Sequence, residues 1–195
     1  MRFADLYEFA ATFSGPVPIK ALAERVSAFH PVVGKVEFYP VELDSSISLG
    51  HVKQERDRTS PYSDEFTIWS IRFDRDLNRC WRRFVCCKEL MHVFDGPDEI
   101  VDTRDKLLEL MGEFGSPRLA VDASPMYQSE LRAQWKAILC LSPKRIRDEM
   151  CQGLADGTYT QYDVANKLKI PEASVRGLQH EYYDEALSRA LRGEF

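Results

Sequence analysis

The residues of this chain that point most directly to chemistry are Lys88, Glu89 and His92, in the stretch KELMH. In the pattern H-E-x-x-H, two histidines one helical turn apart hold a zinc ion, and the glutamate between them acts as a general base. This chain keeps the glutamate and the second histidine, but Lys88 stands at the first ligand position. A protonated amine has no lone pair to give to a cation, so Lys88 cannot take over the role of that histidine.

Helical geometry places these side chains together. Successive residues advance by about 100° around a helix, so Lys88, His92 and Asp95 fall within about 60° of one another. Glu89 lies at the edge of the same face, about 100° from Lys88. A helix through this stretch therefore predicts one site with an amine, an imidazole and two carboxylates, in which Asp95 is a further candidate metal ligand.

A second segment, ELRAQWKAILCLSP from Glu130 to Pro143, resembles the second zinc helix of the ImmA/IrrE family of metallopeptidase-like proteins. In that family, a glutamate ligand opens a helix of the form E-x-x-A-N-x-F-A, which leads into a leucine-rich segment and a proline. The matching positions are Glu130, Ala133, Ala137, Leu139, Leu141 and Pro143. Gln134 replaces the usual asparagine and Lys136 an aromatic residue.

Other parts of the chain resemble the family in the same order. Residues 15–23 resemble its opening helix, residues 66–73 the strand before the zinc helix, and Arg83-Phe84 the Arg-Phe pair ahead of H-E-x-x-H. The resemblance covers roughly residues 15 to 145. It implies a zincin-like α+β fold, with a small antiparallel or mixed sheet packed on a mainly helical bundle. Helices over 78–94 and 126–141 are expected to face each other across a cleft.

The resemblance also implies roles for single residues. Glu89 would be the general base, and His92 and Glu130 would be zinc ligands, whereas Lys88 inherits no role. We hypothesise that the Lys88 ammonium points into the cleft and supplies the positive charge of the missing metal to Glu89 or Glu130. At about 4 Å and an effective dielectric constant of about 20, two opposite charges attract by about 4 kcal/mol before desolvation. Removing the ions from water offsets much of that gain.

Two metal-binding alternatives stay open at the sequence level. Zinc could bind through His92, Glu130 and Asp95 with Lys88 turned aside. The Glu89-x-x-His92 spacing also occurs in di-iron helices. Those sites require a second E-x-x-H, and the chain contains none, so we discount that alternative.

Hydrophobic periodicity and helix-breaking residues predict the remaining elements. Asn78 is the expected N-cap of the helix that carries the candidate site. Predicted helices cover 4–13, 19–29, 78–94, 102–114, 126–141, 143–156, 160–168 and 172–192. Predicted strands cover 36–43, 47–53 and 66–73, and a loop is predicted over 54–64.

Residues 160–178 resemble a helix-turn-helix, with Lys169 where the turn usually has glycine. DNA binding requires positive charge toward the phosphates. The second helix, from Glu172 to Glu185, has one arginine and four acidic residues, a net charge of −3. We therefore expect a packing role rather than DNA recognition for residues 160–185. The predicted division is an ImmA/IrrE-like domain over 1–157 and a helical extension packed on it over 158–195.

The composition is that of an ordinary globular protein, with 44% hydrophobic and 29% charged residues and a net charge of −5. An acidic chain has no global attraction to nucleic acid or anionic membranes. The N-terminus lacks the apolar run of a signal peptide, and no stretch approaches 18 apolar residues. Five cysteines without a C-x-x-C pair indicate reduced thiols, and Cys86 and Cys87 are expected in the core. We therefore expect a cytoplasmic protein that does not bind membranes.

The resemblance to the ImmA/IrrE family implies a role in prokaryotic or phage-linked regulation. With Lys88 in place of the first histidine, we expect a degenerate, metal-free metallopeptidase-like domain that acts by binding another protein. On this interpretation, no cofactor is expected. The alternative is an active zinc metallopeptidase that cleaves a repressor or another regulator, with non-standard ligands. A third interpretation is a small DNA-binding regulator that uses residues 160–185.

Overall fold

The computed structural model describes residues 1–58, 65–96, 99, 101, 106, 110 and 124–195. The predicted helix over 102–114 and part of the predicted loop, 59–64, lie largely or wholly outside the described residues. Within the described part, no helix is both long enough and apolar enough to cross a membrane.

The described residues form eight α-helices, one 3₁₀ turn and three strands. The first half contains α1 (Phe3–Ala11), α2 (Ile19–Phe29), β1 (Val33–Val41), β2 (Gly50–Arg58), β3 (Glu65–Asp74), α3 (Arg79–Met91) and the 3₁₀ turn (His92–Phe94). The second half contains α4 (Pro125–Leu141), α5 (Lys144–Ala155), α6 (Gln161–Leu168), α7 (Glu172–Leu178) and α8 (Tyr183–Arg192). Helices preceding, flanking and following one small sheet confirm the α+β class.

The sheet is mixed, in the order β1-β3-β2. The central strand β3 runs parallel to β1 and antiparallel to β2. The predicted loop is wrong over residues 54–58, because β2 continues to Arg58. These polar residues suit an edge strand because their charged side chains form ion pairs. Lys53 Nζ lies 2.6 Å from Glu55 Oε1 within β2, and Arg58 pairs with Glu65 of β3.

The helix that carries the candidate site begins as predicted but ends at Met91, where a 3₁₀ turn replaces the last three residues of the predicted helix. The Asn78 side-chain oxygen accepts hydrogen bonds from the backbone N–H groups of Cys80 and Trp81, each at 3.0 Å. Cys86 and Cys87 are buried on the core side of the helix, as expected, and burial raises the pKa of both thiols to about 12. These cysteines are inert packing residues rather than nucleophiles.

The predicted single helix over 172–192 is wrong, because the chain breaks between α7 and α8. His180 Nδ1 accepts a hydrogen bond from the Tyr182 backbone N–H at 3.0 Å, a turn contact that a continuous helix would not make. The break directs Tyr183 into the core, where its hydroxyl donates to the Ser142 carbonyl at 2.7 Å. This hydrogen bond satisfies a hydroxyl that is buried in the core.

One hydrophobic core includes residues from both the 1–157 segment and the 158–195 extension. Arg83 joins three parts of the chain: its guanidinium donates to the Val17 carbonyl at 2.8 Å and to the Lys169 carbonyl at 3.1 Å. Lys169 adopts a left-handed conformation, φ 55°, in the turn between α6 and α7. The helix-turn-helix-like segment is thus anchored to the helix that carries the candidate site.

We predict that Arg83→Gln lowers the free energy of unfolding by about 2 kcal/mol, because two part-buried carbonyls lose a charged donor. Urea denaturation followed by circular dichroism measures this change. Arg82→Gln is the matched control: Arg82 is exposed on the same helix, so its replacement should change stability by less than about 0.5 kcal/mol. Equal effects of the two substitutions would contradict the anchoring role of Arg83.

Candidate functional site

The candidate site is a cluster of charged side chains between α3 and α4. Lys88 and Glu89 come from α3, His92 begins the 3₁₀ turn, Asp95 follows that turn, and Glu130 comes from the first half of α4. The structure thus brings together all five residues singled out in the sequence. The predicted facing of the two helices is confirmed, since side chains of α3 and α4 are in direct contact there.

The Lys88 ammonium lies between two carboxylates. Its Nζ is 2.8 Å from Glu89 Oε1 and 2.5 Å from Glu130 Oε2. The Lys88 side chain is 19% exposed and that of Glu89 only 4%, so both ion pairs are largely shielded from water. Burial disfavours the Lys88 ammonium, but the two carboxylates outweigh burial and raise the pKa of Lys88. Lys88 is therefore charged and directed into the cleft.

The two ring nitrogens of His92 have different surroundings. Nδ1 lies 2.6 Å from Asp95 Oδ2, and the Ser129 hydroxyl donates to the same carboxylate at 2.5 Å. Nε2 faces the other carboxylates, at 3.4 Å from Glu130 Oε1 and 3.9 Å from Glu89 Oε2. Nε2 is buried, and its geometry gives no hydrogen bond to any described residue.

Electrostatics favour a charged imidazole. Burial lowers the pKa of His92, but the hydrogen bond with Asp95 and the closeness of Glu130 together raise it to about 9. Glu130 shifts in the opposite sense: burial raises the pKa of its carboxyl, whereas the charges of Lys88 and His92 lower it to about 2. At neutral pH, Lys88 and His92 are therefore protonated and Glu130 is ionised.

Sequence reasoning missed Ser129. Its hydroxyl lies 3.2 Å from His92 Nδ1 and donates to Asp95. In a hydrolase triad, the serine faces the ring nitrogen opposite the one that bonds the aspartate. Ser129 lies on the same nitrogen as Asp95, so the arrangement orients His92 and does not activate a nucleophile. No spacing signal could have identified Ser129, because it reaches His92 from another helix.

Gly50 was also missed. A Cβ atom at this position would lie 2.5 Å from Val85 Cγ1 and 3.4 Å from Glu89 Cγ. The first residue of β2 therefore packs directly on α3, beside the cluster. A lone glycine in a strand is a known signal of close backbone approach, and it could have been used here.

The cluster does not fit a zinc ion as it is arranged. A zinc site needs three protein donors around one open point, and the Lys88 ammonium lies at ion-pair distance from the two glutamates that would surround that point. Asp95, the further candidate ligand, bonds His92 Nδ1, on the side of the ring opposite Glu130. Among the described residues, no group of three or more His, Cys, Asp or Glu side chains is arranged to hold a metal ion.

Comparison of the chain with protein-family models, curated proteins and solved structures found no match. The resemblance to ImmA/IrrE proteins therefore rests on the sequence segments described above, and the zincin-like assignment stays a proposal.

We predict that Lys88→Met lowers the free energy of unfolding by about 3 kcal/mol at neutral pH, because it leaves shielded carboxylates without their cation. Denaturation in the presence of a chelator measures this change without interference from metal. The control is Lys53→Met, which removes one partner of the exposed Lys53–Glu55 pair and should cost less than about 1 kcal/mol. A loss for Lys88→Met no larger than the control would show that the ammonium does not hold the cluster together.

We predict that His92 stays protonated through neutral pH and titrates near pH 9. Its folded pKa is raised, so its contribution to stability is full below the ordinary value of about 6.5 and is lost as pH rises through about 9. Nuclear magnetic resonance of the imidazole protons measures this pKa directly. Asp95→Asn should lower it by about one unit or more, because the ring loses its anionic partner. The control is His30, whose pKa burial lowers, and which should not respond to Asp95→Asn.

Proposed function

We propose that this chain is a degenerate metallopeptidase-like domain of the ImmA/IrrE type, that it holds no catalytic metal, and that it acts in regulation by binding another protein. The observation that carries this proposal is the position of Lys88 Nζ, 2.8 Å from Glu89 and 2.5 Å from Glu130. The residue that departs from the metallopeptidase motif is the residue that places a positive charge in the cleft.

The charge balance supports this proposal. Glu89, Asp95 and Glu130 bring three carboxylates into a shielded space, where like charges repel strongly. Lys88 and protonated His92 bring two positive charges, so the cluster carries a net charge close to −1. A protein that has kept the scaffold of a zinc site without the zinc needs such a replacement, because unpaired buried charges are costly.

Binding without cleavage is the function that this arrangement supports. In zinc peptidases, the glutamate of the motif has to act as a base on a metal-bound water. Here both Glu89 and Glu130 are engaged by the Lys88 ammonium, which withdraws them from that chemistry. A protein partner is the class of ligand that the resemblance to the ImmA/IrrE family implies.

A second candidate, an active zinc metallopeptidase that cleaves a repressor or another regulator, is favoured by one observation. His92 Nε2 is buried, has no hydrogen-bond partner among the described residues and faces Glu130. If the Lys88 side chain turned toward solvent, His92 and Glu130 would be the residues that hold the metal. Asp95 could join them only by leaving His92 Nδ1 and Ser129.

Metal content separates the two candidates, and Lys88→His is the informative variant because it restores H-E-x-x-H. We expect native protein, purified without a tag or chelator, to contain far less than one zinc per chain by mass spectrometry. Lys88→His should bind zinc at least about a hundredfold more tightly, since an imidazole replaces an ammonium. The control is the double variant Lys88→His/His92→Ala, which should lose that zinc.

About one zinc per native chain, lost in His92→Ala, would overturn the metal-free proposal and support the active peptidase. Failure of Lys88→His to gain zinc, with the fold retained, would show that the cluster does not have the geometry of a zinc site.

A further inference from the structure

The free edge of β1 borders a groove. The sheet order places β1 at one side of the sheet, with no described strand beyond it. A groove of about 730 Å³ lies between β1 and α2 and is lined by five consecutive strand residues, 35–39, together with residues of α2. Consecutive residues of a strand point to opposite faces of the sheet. A groove that touches all five therefore runs along the edge of the strand rather than over one face.

The backbone of β1 offers hydrogen-bonding groups to this groove. The Val41 carbonyl accepts from the Arg75 backbone N–H at 2.8 Å, so Val41 turns its polar groups toward β3. Because the direction of these groups alternates along a strand, Val36 and Phe38 turn theirs toward the groove. An unpaired strand edge is a template for another strand, and side chains alone cannot satisfy such a row of alternating donors and acceptors.

Apolar side chains are exposed at the same edge. Val32, directly before β1, and Tyr39 of β1 are 60% and 43% exposed. They are two of the six large hydrophobic residues that are exposed in the described part of the chain. Their grouping beside an open strand indicates a surface that another molecule covers.

The charges of β1 are complementary to those of a second copy of the same strand. Lys35 and Glu37 lie on one face of the strand, with Lys35 Nζ 2.6 Å from Glu37 Oε1. If two copies of β1 pair antiparallel about a two-fold axis at Val36, Lys35 of each copy lies opposite Glu37 of the other. An axis at Glu37 would instead place the two glutamates opposite each other, which is destabilising.

We propose that β1 pairs edge to edge with β1 of a second copy of this chain, in the antiparallel register centred on Val36. The pairing joins the two sheets into one six-stranded sheet and satisfies the outward backbone groups of Val36. It places Phe38 of one copy opposite Gly34 of the other, where the register of β1 with β3 is irregular. A symmetric, self-complementary contact of this kind closes as a dimer and does not propagate.

The proposed dimer does not depend on the absence of a metal from the cluster. Its test measures molecular mass rather than metal content. Sedimentation or light scattering over a range of concentrations should show a dimer of the native chain. Lys35→Glu should weaken the dimer at least about tenfold, because glutamates then face each other at two symmetric positions. Glu37→Lys should weaken it in the same way with lysines.

Exchanging the two charges within one chain is expected to restore the dimer. The double swap Lys35→Glu/Glu37→Lys should dimerise as the native chain does, because the opposite charges again face each other. An equimolar mixture of the two single variants should form a mixed dimer for the same reason. The control is Lys53→Glu on the other edge strand, where Lys53 pairs with Glu55, and it should leave dimerisation unchanged.

Circular dichroism of each variant checks that the fold is retained, which is expected because the Lys35 side chain is 57% exposed. A native chain that stays monomeric at all concentrations tested would overturn the proposal. A dimer that is insensitive to Lys35→Glu, or that is lost in Lys53→Glu instead, would overturn it as well, since the contact would then lie elsewhere.

Discussion

The ion pairs of Lys88 with Glu89 and Glu130 are the interaction on which the rest of the cleft depends. Three carboxylates lie within one shielded space between two packed helices, and such a space is stable only if cations balance them. Lys88 Nζ provides one charge at 2.5 and 2.8 Å, and His92 provides the other. The same two cations lower the pKa of Glu130, so this carboxyl stays ionised at neutral pH.

The scaffold around the cluster keeps these charges in place. Gly50 lets the first residue of β2 lie directly against α3, where any larger residue would meet Val85. Asp95 and Ser129 together orient His92. These contacts come from the sheet, the 3₁₀ turn and α4, so the cluster is specified by the whole fold rather than by one helix.

Two structural features lie outside the cleft: the contacts of Arg83 and the open edge of β1. Arg83 connects the opening segment and the turn before α7 to the helix of the cluster, which fixes the C-terminal helices to the same core. Beside α2, the edge of β1 exposes backbone groups, apolar side chains and alternating charges.

Local patterns in the sequence determined much of this protein. Asn78, the helical spacing of residues 19–29 and the alternation of residues 66–73 depend only on neighbouring residues, and the corresponding elements formed where they were predicted. Helical spacing predicted one face for Lys88, His92 and Asp95, but α3 ends at Met91 and Asp95 has extended backbone. The contact of Asp95 with His92 therefore depends on the turn that follows the helix.

Only the tertiary structure decided where Lys88 points, which nitrogen of His92 meets Asp95, and that Ser129 joins them. Those outcomes depend on contacts between segments far apart in the chain, whose relative positions are set by core packing and not by any local pattern. The break before Tyr183 has the same origin, since its buried hydroxyl bonds Ser142 on a distant segment.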